Sequence, residues 1–101
     1  VVSLVGRGLA KTREVAAKYG IGHVTDDIKA SLALPEVDAV ILCTPTQMHA
    51  EQAIACLSAG KHVQIEIPLA DSLQGAVEVV AGWRIFPAAS ASCRARRILV
   101  A

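Results

Sequence analysis

The stretch Asp38-Ala39-Val40-Ile41-Leu42-Cys43, running into Thr44-Pro45-Thr46, decides the fold. Its apolar residues are continuous, without the alternation of a sheet that faces water on one side. Such a strand has to be covered on both faces, as in a parallel sheet. Pro45 lacks the N–H a ladder needs, so the strand stops there. Thr46 stands where it can cap a following helix.

Working outward, the same unit recurs. Downstream, Gln47–Ala59 places Ala50, Ile54 and Leu57 on one helical face, and Gly60 ends it. His62–Glu66 reads as the next strand, stopped by Pro68, and Asp71 or Ser72 opens a helix to about Val80. Upstream, Val1–Val5 reads as a buried strand punctuated by Gly6-Arg7-Gly8. Lys11–Tyr19 carries Val15, Ala16 and Tyr19 on one face and ends at Gly20. Gly22-His23-Val24 is short and extended. Thr25 predicts an N-cap, with Asp26 and Asp27 in the first turn of a helix reaching about Ala33. Strands separated by helices predict right-handed crossovers and a doubly wound parallel α/β sheet. Val1–Val5, Asp38–Cys43 and His62–Glu66 are expected as parallel neighbours in it.

Size and composition narrow the rest. With 101 residues, 53% of them apolar, the chain makes one domain at most, and a net charge of +1 is too small for a disordered one. No apolar run approaches the roughly 18 residues of a membrane helix, so no membrane partner is expected. Val1–Gly6 has no basic leader region and opens inside a strand without Met, which reads as a fragment. Cys43, Cys56 and Cys93 form no C-x-x-C pair, and so sparse a set fits a reducing, cytoplasmic setting. Aromatics are limited to Tyr19, Trp83 and Phe86, too few for stacking nucleic-acid bases. Residues 1–80 hold six Lys and Arg against nine Asp and Glu, whereas 81–101 hold four Arg and no acid. That change sets 81–101 apart as a divergent, poorly ordered tail, and a shifted reading frame near residue 81 would account for it. Four Arg without interleaved aromatics are thin support for a nucleic-acid partner.

Ligands of doubly wound sheets sit beyond the carboxyl ends of the strands, so three segments are the candidates for chemistry. In the first, Arg7 and Lys11 follow a strand at a place where an acid would accept from a ribose and an Arg would accommodate a 2′-phosphate. The bland alternative is a solvated Arg in a turn. In the second, Thr44-Pro45-Thr46 leads to His49, in a helical first turn whose dipole favours a neutral ring. Such a ring facing the cleft could bond a ligand; a plain surface His is the alternative. In the third, Glu66-Ile67-Pro68 puts a carboxylate at a strand end, where burial is costly unless it is paired. Glu66 either accepts from ribose hydroxyls or stands at a watered edge.

Residues 1–80 resemble the later part of the nucleotide-binding domain of the Gfo/Idh/MocA oxidoreductases. The residues that carry this are Asp38–Ile41 into Thr44-Pro45-Thr46 and His49, Ala50-Glu51-Gln52-Ala53, Ala59-Gly60-Lys61-His62-Val63 and Glu66-Ile67-Pro68-Leu69-Ala70. The run from Gly60 to Asp71 also looks like a narrower, NADP-linked branch. The resemblance implies a partial Rossmann-type sheet lacking its first strand and Gly-rich turn, and a cis Ile67–Pro68 peptide. It implies NADP, rather than NAD, held by Arg7, Lys11, Thr44, Pro45, Thr46, His49, Glu66, Ile67 and Pro68. It implies hydride transfer to or from an oxygen-bearing carbon of a small molecule, with oligomerisation through a second domain. Ile67 stands where the family's Lys reaches substrate, so this chain lacks one polar catalytic group and no catalytic residue is assigned. Two other readings stay open: an inert module of the same ancestry, and an unrelated doubly wound domain of flavodoxin type.

Overall fold

The computed structural model describes residues 1–85 and 97–101. The elements are β1 (Ser3–Val5), α1 (Leu9–Tyr19), β2 (His23–Thr25), α2 (Ile28–Leu32), β3 (Ala39–Leu42), a 3-10 turn (Thr46–Met48), α3 (His49–Ser58), β4 (His62–Ile65), α4 (Leu73–Ile85) and β5 (Ile98–Val100). The five strands form one sheet in the order β2-β1-β5-β3-β4. Every pairing is parallel, as the continuous apolar strand required.

Two expectations about the sheet are corrected. β3 and β4 are neighbours, with Ala39 opposite His62 and Leu42 opposite Ile65. β1 and β3 are not, because β5 lies between them, with Leu99 beside both Ser3 and Val40. The segment 81–101, set apart in the sequence as a tail, is thus drawn in at both ends: 81–85 finish α4, and Ile98–Val100 take a central place. The intervening part of that expected tail, with Phe86 and Cys93, lies outside the described residues.

The core gathers Val37, Val40, Leu42, Ala53, Cys56, Val79 and Leu99. The buried Ser3 hydroxyl lies 2.7 Å from both the half-buried His23 Nδ1 and the buried Ser31 Oγ, which ties β1, β2 and α2 together. Helix starts differ from expectation in two places. Asp27, not Thr25, caps α2, its carboxylate accepting from the Lys29 N–H at 2.9 Å. Thr25 accepts instead from the Asp27 N–H. Thr46 caps nothing with its side chain, because the chain first makes the 3-10 turn, closed by Met48 N–H on the Pro45 carbonyl at 2.9 Å. Ser72 does cap α4, accepting from the Gly75 N–H at 3.1 Å. The Ile67–Pro68 peptide is cis. Among the described residues no helix is long and apolar enough to cross a membrane.

Candidate functional site

The carboxyl ends of the parallel strands are held level by backbone bonds that outlast the strands. Gly6 donates to Thr25, Cys43 to Ala101 and Glu66 to Leu42, at 3.1, 2.9 and 3.1 Å. The three segments singled out in the sequence therefore open on the same end of the sheet, where an open α/β sheet binds its ligands.

At the first, a cleft of about 340 Å³ is lined by Leu4, Val5, Arg7, Gly8, Lys11, Thr12 and Val15. Arg7 and Lys11 are thus brought to one cavity, and no acid stands among the described residues lining it. Gly8 begins α1 in extended conformation without a side-chain cap, so the helix start presents its N–H groups unshielded. Thr12 was not read from the sequence as part of this turn. It is buried, donates to the Gly8 carbonyl at 2.8 Å, and leaves no room for a Cβ at Gly6. The spacing Gly6-Arg7-Gly8…Thr12 was the available signal.

The second and third segments are joined by His49. The ring is only 1% exposed. Its Nε2 lies 2.8 Å from the Thr44 carbonyl and its Nδ1 2.9 Å from the Pro68 carbonyl. Carbonyls only accept, so a ring with protons on both nitrogens satisfies both contacts and a neutral ring satisfies one. This corrects the expectation of a His facing the cleft: both nitrogens are turned to backbone. What His49 does is hold the end of β3 to the turn after β4. Thr44 is pinned further by Gln52, its hydroxyl donating to Oε1 at 2.5 Å. Pro45 is exposed and Thr46 half-buried at the mouth of the 3-10 turn.

Glu66 is exposed just past β4, an edge strand, so its charge stays hydrated. Ile67 beside it is 93% exposed and adds no polar group. The Cys43 thiol is pushed up by partial burial and then by the Glu66 charge. Cys56 is buried in the core, which pushes its thiol up to about 12. At pH 8 iodoacetamide should therefore label Cys43 and spare Cys56 in the folded chain. Glu66→Gln should speed Cys43 labelling by roughly two- to fivefold, the scale of an exposed charge interaction. Peptide-resolved mass spectrometry reads both; unchanged labelling would separate Glu66 from Cys43.

A family model described as "Oxidoreductase family, NAD-binding Rossmann fold" matches residues 1–84. Over 80 residues the chain is 61% identical to a 4-carboxy-2-hydroxymuconate-6-semialdehyde dehydrogenase from Sphingobium sp., covering 79% of this chain and 25% of that protein. It is 37% identical over 84 residues to a 1,5-anhydro-D-fructose reductase from Ensifer adhaerens, covering 83% and 25%. Among solved structures, an oxidoreductase domain protein from Kribbella flavida superposes with a TM-score of 0.79 at 35% identity, covering 98% of this chain and 25% of that one. A 3-ketoreductase from Actinomadura kijaniata, in complex with TDP-benzene and NADP, superposes with a TM-score of 0.77 at 30% identity, covering 85% and 27%. The chain spans about a quarter of the length of these relatives. With the parallel sheet, the level strand ends and the matched residues in agreement, the chain belongs to the Gfo/Idh/MocA oxidoreductases, as part of their NAD(P)-binding Rossmann domain.

Proposed function

We propose that the chain forms the part of a cofactor domain that selects NADP, in a cytoplasmic oxidoreductase acting on an oxygen-bearing carbon of a small molecule. The observation that carries this is the cleft after β1, where Arg7 and Lys11 stand at the uncapped start of α1. Two cations and a helix N-terminus favour a dianionic 2′-phosphate over a bare ribose hydroxyl, which an acid would serve better. The NADP-bound ketoreductase and the NADP-linked branch seen in the sequence support the same reading.

When bound, the cofactor's nicotinamide supplies the hydride chemistry, and the protein contributes orientation and electrostatics. Thr44, Pro45 and Thr46 form the wall at the end of β3, which His49 fixes by its two backbone contacts. Glu66 accepts from ribose hydroxyls at the end of β4, while Ile67 and Pro68 shape the turn beside it. Substrate contacts and assembly into oligomers belong to the rest of the protein in this reading.

The test grafts this chain over the matching region of the Sphingobium dehydrogenase and measures cofactor affinity. A charge-assisted hydrogen bond is worth about 1.5–3 kcal/mol, or about 10- to 150-fold. Arg7→Ala should weaken NADPH by about that factor and leave NADH nearly unchanged. Equal losses for both would show that Arg7 supports the turn and does not read the phosphate. No measurable binding of either cofactor to the grafted protein would favour the inert-module reading.

A further inference from the structure

Helix α4 is apolar on two opposite faces. Toward the molecule it turns Gly75, Val79 and Gly82, all buried, and a Cβ at Gly82 would touch Ile54 and Leu57 of α3. At 3.6 residues per turn, Leu73, Val77, Val80 and Arg84 fall within about 60° of one another on the other side. Their spacing of four, three and four residues is that of the seam of a helix pair. Leu73 is 83% exposed, Val77 59% and Val80 44%, on a face where a helix meeting only water carries polar groups. An acid, Asp71, stands just before the stripe, and a base, Arg84, ends it. Both are exposed, and neither has a hydrogen-bond or ion-pair partner among the described residues.

The charges decide what this stripe fits. Two copies of the helix laid parallel would put Arg84 against Arg84 and Asp71 against Asp71. Laid antiparallel across a two-fold axis, Val77 of each copy packs on Val80 of the other, and Leu73 takes the aliphatic stem of Arg84. The guanidinium then points toward Asp71 of the second copy, so both unpaired charges are matched, twice over. Trp83, 48% exposed at the border of the stripe, comes beside Gln74 of the second copy. We propose that the outer face of α4 is a self-association surface, which joins two copies of this chain as an antiparallel helix pair. A helix of 13 residues offers less than the roughly 1,000 Å² of a stable interface, so the pair should form only at about 0.1–1 mM. At the low micromolar concentrations of an unfolding measurement it is dissociated. This pairing does not depend on the cofactor reading, and it adds to any assembly through the rest of the protein.

Sedimentation equilibrium of the full chain, from about 10 µM to about 1 mM, reads the pairing, and the emission of Trp83, the single Trp, reports on the face involved. The chain should pass from monomer to dimer over that range, and the emission should shift to the blue. Val77→Asp places a charge in the seam and should weaken pairing by at least about tenfold. Arg84→Asp sets acids opposite one another at both ends and should weaken it by roughly three- to thirtyfold, the scale of two exposed ion pairs. Adding Asp71→Arg to that variant reverses both charges and should restore the dimer, as only the antiparallel arrangement allows. Amide exchange in β3 and β4 checks that each variant is folded. A chain that stays monomeric to about 1 mM, or a dimer that Val77→Asp leaves intact, overturns the pairing. A doubly reversed variant as weak as Arg84→Asp overturns the antiparallel arrangement.

Discussion

Replacing His49 by Ala should cost about 3–5 kcal/mol of folding stability, a large share of the roughly 5–15 kcal/mol a domain of this size holds. The ring is buried and both nitrogens meet backbone carbonyls, of Thr44 and of Pro68. Its removal takes the donor from at least one of these carbonyls, at about 1–3 kcal/mol, and opens a cavity in place of a buried side chain. His49→Gln restores one donor and should recover about half the loss. Urea denaturation of the three proteins measures this. A drop of less than about 1 kcal/mol for the Ala variant would mean that the ends of β3 and β4 are held by something other than this ring. The local consequence is as specific as the global one. Amide exchange should rise first around Thr44 and Leu69, because these loops lose the bridge while the core strands keep their ladders.

Much of the fold was legible in the residues because parallel sheets write a strong signal. The uninterrupted Ala39–Leu42 run, the Gly and Pro punctuation and the helical faces led to eight of the nine main elements in their order. Cap chemistry was less legible. Thr25 and Asp27 are both good caps, and only the backbone angle at Asp27, extended at φ −110°, selects it. His49 shows a different limit. Its position in the first turn of a helix was readable, but its burial depends on two carbonyls, one of them 19 residues away, that no spacing rule brings together. The cationic cleft is the reverse case. Arg7 and Lys11 are four apart across a helix start, so local geometry alone puts them side by side. β5 was not legible at all. Charge and composition set the segment 81–101 apart, and a three-residue apolar run is too short to announce a strand. Its place is decided by the sheet, which otherwise presents two unpaired inner edges, on β1 and β3.

Those edges make Leu99 the residue with most to lose. It is fully buried between β1 and β3 and belongs to the central core with Val40 and Leu42. Leu99→Ala removes buried methyl groups and should cost about 2–5 kcal/mol. Leu99→Asp also asks an ionised carboxylate to sit in that core without a partner, and should cost more than the Ala change. The strand then has two ways out. Either the whole domain unfolds, or β5 leaves and exposes the inner edges of β1 and β3, which invites pairing with other chains. Sedimentation and amide exchange separate these outcomes, since expulsion keeps protection in β4 and the helices while β5 and the amides of β1 and β3 that faced it lose theirs and the chain associates. Val77→Asp, on the exposed face of α4, is the matched control and should cost little. If Leu99→Asp were as mild as that control, residues 81–101 would be the independent tail that their composition suggested, and the place between β1 and β3 would stand open. A loss several kcal/mol deeper than the control means that the sheet depends on β5, whose carboxyl end then lies at the crevice that the cofactor has to enter.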